Sequence, residues 1–420
     1  MRVVSFVDHL ELEFEGNVLK NAVCLGDVDN NGLNELVVGN EKGDVAIFKG
    51  DCTKPYYCCC CTGMITAVAI GDICNIGKNM LVVITNCGFL YIFDFEEGKS
   101  SEKKPAIPIH KQHLPANIKT ALIGDINGDG LSELVVAMTD RVVRAYGWIS
   151  AGDLIGNRPY GKLIGLNKWE LSDQIGNIAF NKSGDSTSLL VAQPGGTHFT
   201  IKYNPNTGSG DSDCLKESSS NLAHKRLRNQ NIHTEILGNI QWNNDSQQFG
   251  ESSSPYAVAT LDGTLMLVHN DTIKCNLQVD HQLFALANLD MTGDGREELL
   301  ACAWDGNTYI VRPTHNSDCT DCVRFSFPEP VHSFTAGQYG YKGKQTPSLV
   351  YVTFTGRIFL YYNVQIPILE PTTLTEILKN DPKYLQCLET LGISVDDTVK
   401  IRELHSRLLY NFDKCGSTNV

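Results

Sequence analysis

Three absences in this 420-residue sequence each remove a class of function. No apolar run approaches the roughly 18 residues that a membrane-crossing helix needs, so no direct insertion into a bilayer is expected. The first residues, M-R-V-V-S-F-V-D-H-L, meet a charge at Asp8 before an apolar stretch of about 7–15 residues can form, so no secretory signal is expected either. No G-x-S-x-G, H-E-x-x-H or G-x-x-x-x-G-K-[ST] occurs, and His113, His198, His281 and His332 stand at no spacing that pairs them with a nucleophile. The chain reads as a non-enzyme. Positive charge is also short, with 35 Lys and Arg against 48 Asp and Glu and a net charge of -13. An acidic surface repels phosphate backbones, and the one short basic run, His224 to Arg228, reads as solvated surface, so no nucleic-acid partner is expected.

Cysteine, by contrast, is plentiful. There are 15, an odd number, and Cys58 to Cys61 are consecutive, which no ordinary disulfide framework uses. Reduced thiols in a cytosolic protein are expected. Cys319-x-x-Cys322 has no second pair at zinc spacing. Asn181, Asn244 and Asn270 each open an N-x-S/T triplet, which without secretion is a chance match.

What organises the chain is a repeat. Ile123 to Ala137 reads I-G-D-I-N-G-D-G-L-S-E-L-V-V-A, and the same text returns at Leu25 to Gly39 and at Leu289 to Cys302. Aligning the strand after each such turn exposes seven apolar hairpins: Leu36 to Phe48, Leu81 to Phe93, Leu134 to Tyr146, Leu189 to Ile201, Tyr256 to Val268, Leu299 to Val311 and Leu349 to Tyr361. Six turn on a glycine such as Gly43 or Gly88, which supplies the positive φ of a tight hairpin. The third, Thr139-Asp140-Arg141, lacks it and must turn differently. An apolar strand precedes each hairpin and a further extended piece usually completes the unit. Four strands per unit, with hairpin starts 43 to 67 residues apart, match the blades of a β-propeller. The expected fold is all-β: a seven-bladed β-propeller over 1–368, closed by Val4 to Phe14 joining the last hairpin. Asn204 to Asn231, rich in Gly, Ser and Asn, reads as a flexible inter-blade loop, and 369–411 as a short C-terminal helical tail.

The repeat turns carry the only constellation with evident chemistry. Asp27, Asp29, Asn31 and Glu35 stand at relative positions 1, 3, 5 and 9, as do Asp125, Asn127, Asp129 and Glu133, and Asp290, Thr292, Asp294 and Glu298. Alternate residues of a tight loop point oxygens inward, and hard oxygen ligands at this spacing suit calcium. The same residue types also stabilise a turn by bonding nearby backbone N–H groups. Both readings stand at this stage. The second unit's Asp72 to Gly77 has lost the set and should bind nothing. No cofactor is required; calcium in one or more loops is the ion the pattern fits.

The text G-D-[VI]-[DN]-x-[ND]-G-x-x-E-L-V-V at Gly26 to Val38 and Gly124 to Val136 resembles the FG-GAP repeat of integrin α-chain propellers, where such loops hold calcium. The phrases C-L-G-D-V-D-N (Cys24 to Asn30), T-D-R-V-V-R-A (Thr139 to Ala145), T-L-D-G-T-L (Thr260 to Leu265), V-D-H-Q-L-F-A-L (Val279 to Leu286), A-C-A-W-D-G (Ala301 to Gly306) and L-V-Y-V-T-F (Leu349 to Phe354) go beyond the repeat. They are similar to the vertebrate integrin-α FG-GAP repeat-containing family that supplies a subunit of KICSTOR, over nearly the whole chain. That resemblance implies a scaffold or adaptor with kaptin, the other KICSTOR subunits and the GATOR GTPase-activating complex as partners. It also implies a cytoplasmic protein, peripheral at the lysosomal surface through its partners, that restrains amino-acid and glucose signalling to the target-of-rapamycin kinase. The alternative is an extracellular, integrin-like, calcium-binding adhesion propeller, favoured by the acidic loops and triplets and opposed by the missing signal and unpaired thiols.

Overall fold

The computed structural model describes residues 2–96, 105–152, 159–184, 186–202, 231–241, 254–270, 272–312 and 322–367, and in the tail 374, 378–379, 382–395 and 397–410. The chain forms two compact units, 1–366 and 367–420.

The first unit is a seven-bladed β-propeller. Blade 1 sets the pattern: Val18–Gly26, Glu35–Asn40, Asp44–Phe48 and Tyr57–Cys60 run antiparallel from the axis outward. The inner strands of the other blades are Ile65–Gly71, Ile118–Gly124, Ile178–Ser183, Thr234–Leu237, Leu283–Leu289 and Val331–Tyr341, each beside the next around the ring. Second strands such as Glu35–Asn40 and Met80–Thr85 are buried at every residue. Both faces of a blade are covered by its neighbours, so these strands read as unbroken apolar runs instead of alternating ones.

The L/I-G-D text has a packing reason. Cβ atoms placed on Gly26, Gly71 and Gly124 would lie 2.9, 2.9 and 2.8 Å from Ile70, Ile123 and Phe180 of the following blade. Gly337 receives Leu25 across the closure at 3.1 Å. Four of the seven inner strands thus carry a notch filled by the large residue of the next blade, a repeated small–large contact that keys those blades together.

Closure follows the expected route. His9–Leu12 pairs antiparallel with Ile358–Tyr361, His9 opposite Tyr361 and Leu12 opposite Ile358. An additional strand, Arg2–Val4, runs parallel to Cys322–Ser326 of blade 6, so the N-terminal residues fasten two blades. The glycine-free hairpin of blade 3 turns by placing Arg141 itself at φ 67°.

Three expectations need correction or restriction. Blade 4 has three strands among the described residues, Ile178–Ser183, Ser186–Gln193 and Thr197–Lys202. The insert at 204–231 lies outside the described residues except for Asn231. Trp304 is 40% exposed, because it follows the fully buried strand and already belongs to the turn. Cys275 is disulfide-bonded, against the expectation of reduced thiols throughout; an odd total and one consecutive run say nothing about a single spaced pair. Cys58 to Cys61 do carry free thiols, with Cys59 buried and Cys58 and Cys60 exposed as strand alternation requires.

In the second unit, α1 (Pro382–Thr390) and α2 (Thr398–Tyr410) bury Leu388 and Ile401. α1 ends at Gly392, φ 65°, where the Ile393 N–H returns to the Leu388 carbonyl; Asp397 caps α2 through the Lys400 N–H. Among the described residues no helix is long and apolar enough to cross a membrane.

Candidate functional site

The loops between first and second strands bring the predicted residues together, and their shared element is the first aspartate. Asp27 accepts the N–H groups of Asn31 and Gly32, Asp125 those of Gly128 and Gly130, and Asp290 those of Gly293 and Gly295. Asp72 does the same for Ile76 and Gly77 in blade 2, which has none of the other ligands. Position 1 therefore shapes the turn whether or not an ion is bound.

Position 9 is different. The loop glutamate folds back so that Oε2 accepts an N–H at position 2: Val28 to Glu35 at 2.9 Å, Ile126 to Glu133 at 3.0 Å, Met291 to Glu298 at 2.8 Å. All three carboxylates are buried. Burial raises Glu35 and Glu133 to about 7 against the opposing backbone bond, neighbouring aspartates adding to the rise. Burial likewise raises Glu298.

The three loops differ in what faces these carboxylates. In blade 1 the Lys49 ammonium bonds Asp29 and stands 3.6 Å from Glu35 Oε1. In blade 6 Arg312 pairs with Asp294, and the Thr292 hydroxyl lies among Asp290, Asp294 and Glu298. Lys49 and Arg312 each follow the third strand, fourteen residues beyond the loop glutamate. The same position in blade 3 is Gly147, and there the Asn127 amide lies between Asp129 at 2.9 Å and Glu133 at 3.2 Å. That fourteen-residue spacing was available in the sequence and was not used.

As a cage for a divalent cation, blade 1 has the tightest geometry. Asp27, Asp29 and Glu35 are the only described His, Cys, Asp or Glu residues that bring three ligand atoms within 4.8 Å of one another. Asp29 Oδ1 and Glu35 Oε1 are buried and accept no hydrogen bond. The donor set fits calcium, but a lysine ammonium already stands against it. Blade 3 offers a wider set with no cation against it among the described residues.

A second cluster escaped the sequence reading. At the axis, Glu235 of blade 5 meets Lys20 of blade 1 at 2.5 Å, Asn177 at 2.8 Å and His233. Lys20 also donates to the Phe284 carbonyl, and Lys119 to that of Ile175. Burial alone would raise Glu235, yet Lys20 and His233 outweigh it and hold the carboxyl at about 2. Burial, only partly offset by Glu235, lowers Lys119.

A cavity of about 1110 Å³ lies where the ring closes, lined by Glu11, Glu13, Glu15, Glu41, Lys42 and Arg357 among others. No Ser, Cys or His lines it, and the Thr53 hydroxyl donates to Glu13 Oε1 at 3.4 Å. Of the three Asn-x-Ser/Thr triplets, Asn181 is buried and bonds Ser254 and Asn239, which leaves no room for a glycan.

The chain is 39% identical over 99% of its length to the mouse (Mus musculus) protein described as "KICSTOR complex protein ITFG2", covering 97% of it. It is 38% identical over 93% of its length to the cattle (Bos taurus) protein of that description, covering 76% of it. Among solved structures, BBS1N, crystallised in complex with ARL6DN, superposes with a TM-score of 0.58 at 15% identity, over 88% of this chain and 100% of that one. The β-propeller domain of Cps50 (Swd1) from Myceliophteria thermophila gives 0.52 at 12% identity, over 85% of this chain and 100% of that one. Both are likenesses of fold alone. The family model described as "Integrin-alpha FG-GAP repeat-containing protein 2" matches residues 49–366, blades 1 to 7 from Lys49 onward, and with the near full-length relatives it shows that the chain belongs to that family.

Proposed function

We propose that this chain is a non-enzymatic scaffold subunit of a KICSTOR complex. The near full-length identity with a mouse protein named for that complex carries the reading. A keyed ring and an axis plugged by an ion pair suit a rigid platform whose outside does the work. In this reading the complex contains kaptin, holds the GATOR GTPase-activating complex at the lysosomal surface, and restrains target-of-rapamycin signalling when amino acids or glucose are scarce. The test is purification of the tagged full chain from fed and starved cells. Recovery of the other KICSTOR subunits with GATOR, and kinase activity that persists through starvation once the chain is deleted, are expected; recovery of neither overturns the reading.

Calcium is part of the proposal, and blade 3 is where it would bind first. An ion there displaces only the neutral Asn127 amide, whereas blades 1 and 6 must give up a tethered cation. Bound calcium would supply a structural cross-link to Asp125, Asn127, Asp129 and Glu133, stabilising the folded state by mass action. Millimolar calcium should raise the melting temperature by about 2–4 °C, and Glu133→Gln should abolish the rise. An unchanged melting temperature in the unsubstituted protein rejects it.

The extracellular reading retains one specific observation, the disulfide at Cys275. A glycosidase-sensitive mobility shift of the protein from cells would favour it; none is expected.

A further inference from the structure

The hairpins joining second to third strands all open at the same place in their blades. The N–H of the first turn residue bonds the carbonyl just before the inner strand: Glu41 to Asn17, Asn86 to Met64, Thr139 to Asn117, Leu261 to His233, Trp304 to Gln282 and Phe354 to Pro330, at distances between 2.9 and 3.3 Å. In blade 4 the position falls to Pro194, which follows the Gln193–Thr197 pair and has no N–H to give. These residues form a rim one strand out from the axis.

The chemistry of the rim changes halfway round. Blades 1 to 4 place Glu41, Asn86, Thr139 and Pro194 there, whereas the consecutive blades 5, 6 and 7 place Leu261, Trp304 and Phe354. Trp304 and Phe354 are 40% and 55% exposed. One peptide group holds them side by side: the Val331 N–H bonds the Trp304 carbonyl at 2.8 Å, and the Pro330 carbonyl of the same peptide accepts the Phe354 N–H. Packing fixes the rings as well. Trp304 stacks on Phe284 with centroids 6.2 Å apart, Phe354 meets His332 at 5.1 Å, and Leu261 packs against the buried cluster that contains Phe284. Contiguous apolar surface held in place yet open to water marks a site of interaction.

The surroundings select the partner's charge. Asp262 and Asp305 directly follow Leu261 and Trp304. The turn glycines Gly263 and Gly306 lie against the carbonyls of Val279 and His281 and those of Phe327 and Glu329, which brings the segments of Asp280 and Glu329 alongside the arc. His281 stands 3.2 Å from Asp305, and Arg357 joins Glu329 to Glu11. Four carboxylates thus meet one guanidinium and one imidazole, in a chain of net charge -13. The aromatic set already takes a cation on its inner side, where the Lys20 ammonium lies 5.9 Å from the Phe284 centroid.

We propose that the arc of Leu261, Trp304 and Phe354 docks a segment of another subunit that carries an arginine between apolar residues. The guanidinium lies over the Trp304 indole beside Asp305, and the apolar neighbours cover Leu261 and Phe354. Arginine suits the place because its planar cation both stacks on an aromatic face and bonds a carboxylate. The inference rests on the KICSTOR reading and names the surface, and the chemistry, through which that assembly is made.

The test uses the full-length chain, alone and in the complex purified with it. Hydroxyl-radical oxidation of Trp304 and Phe354, read by mass spectrometry, should be extensive in the isolated chain and roughly tenfold lower in the complex. Trp304→Ser and Phe354→Ser should each reduce capture of the KICSTOR subunits by about tenfold or more, while Thr139→Ala, at the same rim position in blade 3, leaves it unchanged. Trp304→Leu, which keeps an apolar side chain and loses the ring, and Asp305→Asn should each weaken capture several-fold. If Trp304→Ser unfolds the chain, Phe354→Ser and the oxidation pattern decide. Oxidation equally low in both states means that the chain covers its own arc, and oxidation equally high means that nothing docks there; either overturns the proposal. An equal loss with Thr139→Ala overturns it, as does unchanged capture by both Trp304→Leu and Asp305→Asn, since the occupant then carries no cation. Failure of the unsubstituted chain to capture any KICSTOR subunit strikes instead at the assembly on which the inference rests.

Discussion

Glu235 at the axis and Glu133 on the loop face are almost equally buried, 2% and 3% exposed, yet they titrate on opposite sides of an ordinary glutamate, at about 2 and about 7. Burial disfavours the charged form of both. Glu235 is met by the Lys20 ammonium and by His233, whereas Glu133 is met by Asp125, Asp129, one backbone N–H and the neutral Asn127 amide. Burial makes the charge matter, and the neighbours decide which way. The axis is a finished ion pair; the loop face is a set of carboxylates whose countercharge differs from blade to blade.

Removing the countercharge at the axis should break the comparison most severely. Lys20→Met leaves Glu235 buried beside His233 without its main partner, and loss of one member of a buried pair costs about 3–5 kcal/mol. Urea unfolding at pH 7.5 should show that loss. A cost below about 1 kcal/mol would mean that Glu235 is solvated at the axis and needs no partner.

Proton linkage sharpens the contrast, because the two ends of the comparison have opposite signs. The carboxyl of Glu235 is lowered on folding, so its contribution is present above the ordinary glutamate value of 4.5 and is lost as the pH falls toward 2. That contribution is on the order of 3 kcal/mol. Glu35 and Glu133 are raised, so the folded protein holds protons that the unfolded chain has released. Their contribution is full below about pH 4.5 and is lost as the pH rises through about 7. With chelator present, stability should therefore increase from pH 7.5 to about 5.5 and fall again in acid. Glu235→Gln should flatten the acid side, and Glu133→Gln the neutral side. Interchanged effects would refute the assignment.

The sequence showed the face far better than the axis. The acidic loops, the hairpin glycines and the L/I-G-D text are local and repeat, so each copy supports the others. Lys20, Lys119 and Glu235 are single charges inside apolar strands of different blades, and nothing local says that closure of the ring brings them together. Lys49 and Arg312 lie between these cases. Their spacing from Glu35 and Glu298 is periodic, but its meaning appears only when the third strand is seen running back beside the loop.

The differences within the face can be exchanged. Gly147→Lys places an ammonium in blade 3 where blade 1 has Lys49; a side chain there meets the flexible end of Leu166, which can move aside. The calcium-induced rise in melting temperature should disappear. Lys49→Met should do the opposite, freeing Asp29 and Glu35 and increasing the total rise by about 1–3 °C. A calcium response that ignores both substitutions would place the ion elsewhere or nowhere.

The smallest effect lies between the face loops themselves, which are stitched by neutral amides where the axis is stitched by charge. Asn30 and Asn75 adopt φ of 60° and 57°, a conformation asparagine accepts more readily than most residues. Each side chain forks onto the backbone of the next blade's loop. Asn30 accepts the Asn79 N–H at 2.7 Å and donates to its carbonyl at 3.0 Å; Asn75 does the same with Ser132 at 2.7 and 3.2 Å. Asn75→Ala removes both bonds and leaves an alanine at positive φ, while water can reach the exposed groups. The expected cost is about 1 kcal/mol, independent of pH between 5 and 8 and of salt, because no charge is involved. A salt-sensitive loss, or one as large as that of Lys20→Met, would show that the loops are coupled through their carboxylates instead of through these amides.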